Sequence, residues 1–219
     1  MSGDGTALDL IVFDLDGVLV DTTACHRRAY DDLWRLAGCA GLPYELIAGR
    51  RTLDVVADVT APLSPSAAQV REWVTFKQAR ARHYLAEKDI AYPDTRPCLA
   101  ALAANRMRRA LATGASRETA EIVLRRLDAR EGWAAVVTAE DVSVGKPSPE
   151  VYLAVMAVTR CRPERTLVVE DSGAGLAAAA ASGAYVASVR SGLPAASPRF
   201  LGAFDDLRAV LAKLGVATT

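Results

Sequence analysis

Residues 10–22 read LIVFDLDGVLVDT, and the fold of the chain turns on them. Leu10, Ile11, Val12 and Phe13 form a short unbroken apolar run, the pattern of a strand buried on both faces. The run stops at Asp14-Leu15-Asp16-Gly17. Side chains alternate along a strand, so Asp14 and Asp16 start on the same side of the chain. Two carboxylates that close repel, and one takes up a proton unless a cation sits between them. Gly17 lets the backbone turn sharply just beyond the pair. Open α/β sheets bind their ligands at the carboxyl ends of strands, which is where these acids fall. A lone Asp-x-Asp is more often a solvated strand end; motifs further along decide against that here.

The 219 residues suffice for one generous domain, or for a core with a smaller insert. An apolar fraction of 51% supplies a sizeable core and argues against disorder. Lys+Arg 26 balance Asp+Glu 26, which points away from a nucleic-acid partner. No apolar run approaches the roughly 20 residues of a membrane span, and the opening MSGDGTALD lacks the basic and apolar regions of a signal peptide. A cytoplasmic protein with no membrane partner is expected, and nothing in the sequence demands more than a monomer. Cys25, Cys39, Cys98 and Cys161 are far apart, and only His26 and His83 could join them, so reduced thiols are expected rather than zinc or disulfides. Lysine occurs only at Lys77, Lys88, Lys146 and Lys213 among many arginines, so each position is a candidate for a compact point charge.

After the first strand, Thr22 or Thr23 is placed to cap a helix running to about residue 37, with Ala29, Tyr30, Leu33, Trp34 and Ala37 on its apolar face. His26 precedes Tyr30 by four residues and so shares its face, close to the acidic loop. Residues 38–92 look helical without a buried strand, with helices expected over 52–59 and from Ser66 to about Lys88. Along the second of these, Val70, Trp73, Val74, Ala81, Tyr84 and Leu85 make a stripe with Lys77 at its centre, while His83 points away. From residue 92 onward strands expected at 109–113, 134–138, 166–170 and 184–189 alternate with helices at 117–127, 149–159, 173–182 and 206–214. That alternation predicts an α/β fold: a Rossmann-like parallel sheet covered by helices on both faces, interrupted after its first strand by an all-helical insert. The expected division is a core of residues 1–21 and 92–219 and an insert of 22–91.

Three later motifs follow expected strands. Thr113-Gly114-Ala115-Ser116 offers a hydroxyl and backbone N–H groups at a helix start, a cradle for an anionic oxygen; alone it would be a capped turn. In Gly145-Lys146-Pro147-Ser148-Pro149 a lysine is fixed between glycine and proline. Glu170-Asp171-Ser172-Gly173 repeats the opening theme of apolar strand, acids and glycine, although acids there often serve only as helix caps. A parallel sheet gathers all of these on one edge. Carboxylate oxygens suit Mg²⁺, whereas the hydroxyl, N–H groups and lysine suit phosphate oxygens. Aspartate is a nucleophile towards phosphorus, and phosphoryl transfer needs mainly positioning and charge neutralisation.

In order, FDLDGVLVDT, ATGAS, GKPSPE and VVEDSGAG make the chain similar to the haloacid dehalogenase-like superfamily, in its branch with a helical cap inserted after the first strand. The resemblance spans nearly the whole chain. It implies Asp14 as nucleophile, Asp16 as general acid/base, Thr113 and Gly114 as phosphoryl ligands, and Lys146 as the cation neutralising Asp14 and phosphate. It implies Mg²⁺ held by Asp14, the Asp16 carbonyl and Asp171, with Glu170 in or beside the shell. An acid at Asp16 argues against the dehalogenases and phosphonate hydrolases of the superfamily, which lack one there. DTTACHRRAY resembles the start of β-phosphoglucomutases, with His26 facing substrate, and AGRRTLD resembles their specificity loop except that Thr52 stands where the mutases place arginine. Arg50, Arg51 and Lys77 are the remaining candidates for substrate contact. The expected activity is a Mg²⁺-dependent phosphatase of a small phosphorylated metabolite, with a β-phosphoglucomutase-type mutase as runner-up. A receiver-like regulatory domain, which also phosphorylates an aspartate, is disfavoured by motif order and by the helical insert.

Overall fold

The computed structural model describes residues 8–87 and 89–218. Lys88, the expected end of the long insert helix, and most of the opening MSGDGTALD lie outside these residues. The sheet is built from β1 (Leu10–Phe13), β2 (Arg109–Ala112), β3 (Trp133–Val137), β4 (Thr166–Glu170), β5 (Tyr185–Val189) and β6 (Phe200–Phe204). Every pairing is parallel and the order is β3-β2-β1-β4-β5-β6, so β1 lies inside the sheet. Val12 faces Ala110 on one side and Val168 on the other.

All four residues of β1 are buried because both faces of the sheet are covered. Ile11 and Phe13 pack with α5 (Thr95–Ala104), α6 (Arg117–Arg126) and α9 (Leu207–Lys213). Leu10 and Val12 pack on the opposite face with α7 (Glu150–Thr159) and α8 (Gly173–Ala181). This is the doubly covered parallel sheet that the strand–helix alternation predicts. No helix of the described residues is long and apolar enough to cross a membrane, and no disulfide joins the four cysteines.

Between β1 and α5 lie α1 (Thr23–Ala37), α2 (Tyr44–Ile47), α3 (Thr52–Thr60) and α4 (Ala67–Ala86). They share a small core of their own in which Leu33, Trp34, Ile47, Val55, Val56 and Trp73 meet, and Tyr30 stacks on Trp34 with ring centroids 5.4 Å apart. α4 starts where Ser66 accepts a hydrogen bond from the Gln69 amide, 3.2 Å away. The chain leaves for this insert and returns from it at one point: Val20 pairs with Ala91, and the Asp21 amide donates to the Ile90 carbonyl at 2.7 Å.

Three elements escape the sequence patterns. β6 is an edge strand with one partner, half-exposed side chains and a glycine, Gly202, at its centre, so it shows neither alternation nor a buried run. α5 is alanine-rich, which removes the contrast between its faces, and its buried apolar residues reduce to Cys98, Leu99 and Leu102. α2 is a single turn.

Candidate active site

The carboxyl edge of the sheet collects the motifs. Asp14 follows β1 directly, and its amide donates to the Val169 carbonyl at 3.1 Å, which extends the strand ladder by one residue. The chain then folds back on itself: the Leu19 and Val20 amides both donate to the Leu15 carbonyl. Gly17 sits in the turn at φ 79°, and a Cβ there would lie 1.8 Å from Asp171 Oδ2. Only glycine lets the β1 loop pack this closely on the β4 loop. Thr113 follows β2, with its amide on the Val137 carbonyl at 3.0 Å and its hydroxyl accepting from the Ala115 amide at 3.0 Å. Glu170 closes β4, with Asp171 next, and Lys146 arrives through the loop after β3.

Lys146 is the centre of charge. Its Nζ lies 2.5 Å from Asp14 Oδ1 and 2.6 Å from Glu170 Oε1, with all three side chains buried. Glu170 is well provided with donors: Tyr152 Oη at 2.5 Å on one oxygen, and the Asp171 amide at 3.0 Å and the Ser172 amide and hydroxyl at 3.3 and 3.2 Å on the other. Burial alone would raise its pKa, but Lys146 and these donors hold it below the usual glutamate value. Asp14 lacks such company. Burial pushes its pKa well up, Lys146 works against that, and Glu170, Asp16 and Asp171 push it further up. Asp171 is raised to about 8, first by burial and then by Glu170.

An arrangement of several buried acids around one lysine is short of positive charge. Oxygens of Asp14, Glu170 and Asp171 lie within 4.8 Å of one another, a set that can hold a metal ion. The donors are all carboxylate oxygens, which fits a hard cation such as Mg²⁺. Glu170 already accepts from Lys146, Tyr152 and Ser172, which leaves Asp14 and Asp171 as the acids with oxygens to spare.

Asp16 belongs to a second network that reaches into the insert. The Thr22 hydroxyl, read from the sequence as a helix cap, instead donates to Asp16 Oδ1 at 2.6 Å and makes no cap hydrogen bond. His26 Nε2 is 3.3 Å from the same oxygen but forms no hydrogen bond with it. Burial raises the pKa of Asp16, yet His26, Thr22 and Lys77 outweigh burial and bring it to about 2. His26 is held below its ordinary pKa by burial and by Lys77. Neutral, it accepts at Nδ1 from Lys77 Nζ, 2.9 Å away. Lys77 also lies 4.2 Å above the Tyr30 ring and 3.5 Å from the Thr52 hydroxyl.

Burial lowers the pKa of Lys77 from 10.5 to about 8, the Asp16 charge opposing only in part; this costs the folded state about 3 kcal/mol while the lysine is charged. Below about pH 8 folded and unfolded chains both hold the proton, and the full cost is present. Between about pH 8 and 10.5 only the unfolded chain binds it, so stability rises with pH until the cost has gone. Lys77→Met is therefore expected to unfold several degrees higher than the parent at pH 7 and to lose that advantage towards pH 10.5. Thermal unfolding across that range is the check. A variant less stable at every pH would mean that the bond to His26 outweighs desolvation.

The two networks face each other across a cavity of about 40 Å³, lined by Asp14, Asp16, Thr113 and Gly114 from the core and by His26, Tyr30, Arg50 and Lys77 from the insert. Arg50 borders it while ion-paired with Asp58. Arg51 does not line it: its guanidinium rests on Asp54 and on the Val142 and Ser143 carbonyls. The insert sits down closely, since a Cβ on Gly114 would lie 3.1 Å from the Gly49 carbonyl oxygen and one on Gly49 would lie 2.1 Å from Ser172 Oγ. Two residues of these networks have no sequence signal of their own. Thr22 reads as a cap, and Tyr152 as one more apolar residue of α7.

A family model described as haloacid dehalogenase-like hydrolase matches residues 8–183. A phosphorylated carbohydrates phosphatase of Thermotoga maritima is 32% identical over 180 residues, covering 80% of this chain and 82% of its own length. A fructose-1-phosphate phosphatase of Escherichia coli is 30% identical over 192 residues, covering 82% of this chain and 95% of its own. Among solved structures, that of CbbY from Rhodobacter sphaeroides in complex with phosphate superposes with a TM-score of 0.78 at 26% identity, covering 95% of this chain and 100% of that one. Sheet order, the acid-rich carboxyl edge and a match over most of the sequence lead to one conclusion: the chain belongs to the haloacid dehalogenase-like hydrolase family.

Proposed function

We propose that this hydrolase of phosphoric monoesters is a Mg²⁺-dependent phosphatase of small phosphorylated metabolites, sugar phosphates foremost, acting through an aspartyl-phosphate at Asp14. The observation that carries the reading is Lys146 held between Asp14 and Glu170, beside the hydroxyl and backbone donors of Thr113 and Gly114. The phosphatases that resemble the chain, one acting on phosphorylated carbohydrates and one on fructose 1-phosphate, support the substrate class.

In this reading residues 1–21 and 92–219 are the catalytic core and 22–91 a cap that selects the substrate. The Thr113 hydroxyl, the Gly114 amide and Lys146 hold the phosphoryl oxygens. An oxygen of Asp14 attacks phosphorus while the bond to the leaving oxygen breaks, and Asp16 gives that oxygen its proton. Asp16 then takes a proton from the incoming water, whose oxygen bonds to phosphorus as the Asp14–phosphorus bond breaks. Asp14, the Asp16 carbonyl and Asp171 would hold Mg²⁺, with Glu170 beside them; the ion supplies neutralisation of the charge on nucleophile and phosphoryl group. Asp16 rests ionised; an arriving phosphate dianion raises its proton affinity, so that it takes up from solvent the proton it then gives to the leaving oxygen.

A screen of phosphorylated metabolites with released phosphate as readout tests the proposal; an inactive protein across sugar phosphates and related monoesters would sink it. Asp16→Ala is expected to slow hydrolysis of an alkyl phosphate by about a hundredfold or more while Asp14 is still phosphorylated by a substrate with a good leaving group. Unchanged hydrolysis would contradict the role.

The mutase reading needs a cation free to grip a second phosphate. Thr52 stands at that position, Arg50 is paired with Asp58, and Arg51 with Asp54. Hydrolysis is therefore favoured; efficient primer-dependent conversion of β-glucose 1-phosphate to glucose 6-phosphate would reverse the ranking.

A further inference from the structure

The loop 142–145, which delivers Lys146, is held by side chains from two directions. From the core, Glu150 accepts from the Ser143 amide at 2.6 Å and the Val144 amide at 2.8 Å. From the insert, Arg51 donates through Nη1 to the Val142 carbonyl and through Nη2 to the Ser143 carbonyl, both at 2.8 Å, and Asp54 accepts from the Gly145 amide at 3.2 Å. Asp54 also fixes Arg51 itself, taking Nη2 at 2.7 Å on one oxygen and Nε at 3.1 Å on the other. A guanidinium so braced presents its remaining N–H groups in a fixed fork before it meets the loop. Gly145 is shaped to this contact: a Cβ there would lie 2.5 Å from Asp54 Oδ2 and 2.7 Å from Arg51 Cβ.

We propose that Arg51 and Asp54 are positioning residues: a clasp that fastens the cap to the loop 142–145, so that closing the cap and seating Lys146 on Asp14 and Glu170 are one event. This rests on the phosphatase reading above. The cavity between the two networks is narrow, about 40 Å³; on the phosphatase reading the cap opens to load substrate, and the clasp breaks and re-forms with each turnover. Opening takes away the insert's share of the loop's hydrogen bonds and leaves it to Glu150 and to the Ser148 amide, which donates to the Gly145 carbonyl at 3.0 Å. Lys146 then loses the backbone support that aims its Nζ. Arg51 thus acts on the chemistry through Lys146, without touching substrate.

The test joins a distance to a rate. Spin labels at Thr75 on the insert and Glu121 on the core report cap closure in the full-length protein. Arg51→Ala and Asp54→Ala are each expected to raise the open population by about tenfold to a hundredfold, the range for losing two or three such hydrogen bonds. The double variant is expected to open little further, because both residues belong to one clasp. kcat/KM should fall by one common factor for p-nitrophenyl phosphate, which has no second polar group to grip, and for the best metabolite found. An unchanged distance distribution, or a loss confined to substrates with a further anionic or hydroxylated group, would overturn the clasp and return Arg51 to substrate binding. A parent protein that hydrolyses no phosphomonoester, but whose label distance still shifts in both variants, would sink the phosphatase reading and leave the clasp standing.

Discussion

Asp14→Asn is expected to lose turnover by more than about four orders of magnitude, which is about 5.5 kcal/mol of barrier. The amide keeps the size of the side chain and removes the attacking oxygen. It also removes a buried acid whose pKa burial and the neighbouring Glu170, Asp16 and Asp171 raise well above normal. The variant should therefore fold as stably as the parent or more so, since like-charge repulsion falls. The two readouts separate chemistry from structure. Acid-quenched mass spectrometry is expected to find a phosphorylated aspartate in the parent during turnover and none in the variant. Near-native turnover would remove Asp14 from the nucleophile's role.

Removing divalent metal is expected to abolish activity as well, and the loss has a readout that needs no substrate. Asp14, Glu170 and Asp171 meet around one lysine, so an added cation relieves repulsion that the folded chain otherwise bears. Mg²⁺ at about 100 times its Kd stabilises the folded state by about 2.7 kcal/mol, or about 5–10 °C in unfolding midpoint for a chain of this size. Asp171→Ala should lose most of that shift. Lys146→Ala should keep it, because Lys146 neutralises the nucleophile rather than binding metal. Full activity after exhaustive chelation, with no midpoint change on adding Mg²⁺, would end the metal assignment.

The acid-rich edge of the sheet is legible in the sequence because strand geometry places it. Asp14, Thr113 and Glu170 each end or follow a short buried strand, and a parallel sheet aligns such ends without further information. His26 and Lys77 are legible because helical spacing puts them on buried stripes, and the structure buries both. What the sequence conceals is how partners divide a side chain's hydrogen bonds. Thr22 looks like a helix cap until Asp16 is seen beside it. Arg50 and Arg51 are neighbours of one type, yet one borders the cavity and the other grips a loop some 90 residues away. Glu170, one of three acids that can hold a metal ion, also accepts from Lys146, Tyr152 and the Asp171 amide, partners that its place at a strand end does not announce. Local pattern carries no trace of such distinctions, because they depend on residues distant in the chain.

The pairing of Val20 with Ala91 bears on how such a protein diversifies. Seen from the sheet, everything between those two residues is a loop whose ends already touch. Lengthening a loop with its ends held together is cheap, with each doubling adding only about 0.6 kcal/mol of closure entropy. The helices in between have an apolar centre of their own around Leu33, Trp34 and Trp73, and among the described residues join the sheet's core only through α1 and α4, by Cys25, Ala29, Ala81, Tyr84 and Leu85. Selection can therefore exchange or rebuild the inserted helices while the strand ends keep their register. On the proposed division between core and cap, a new substrate then requires a different insert and leaves the reaction as it was.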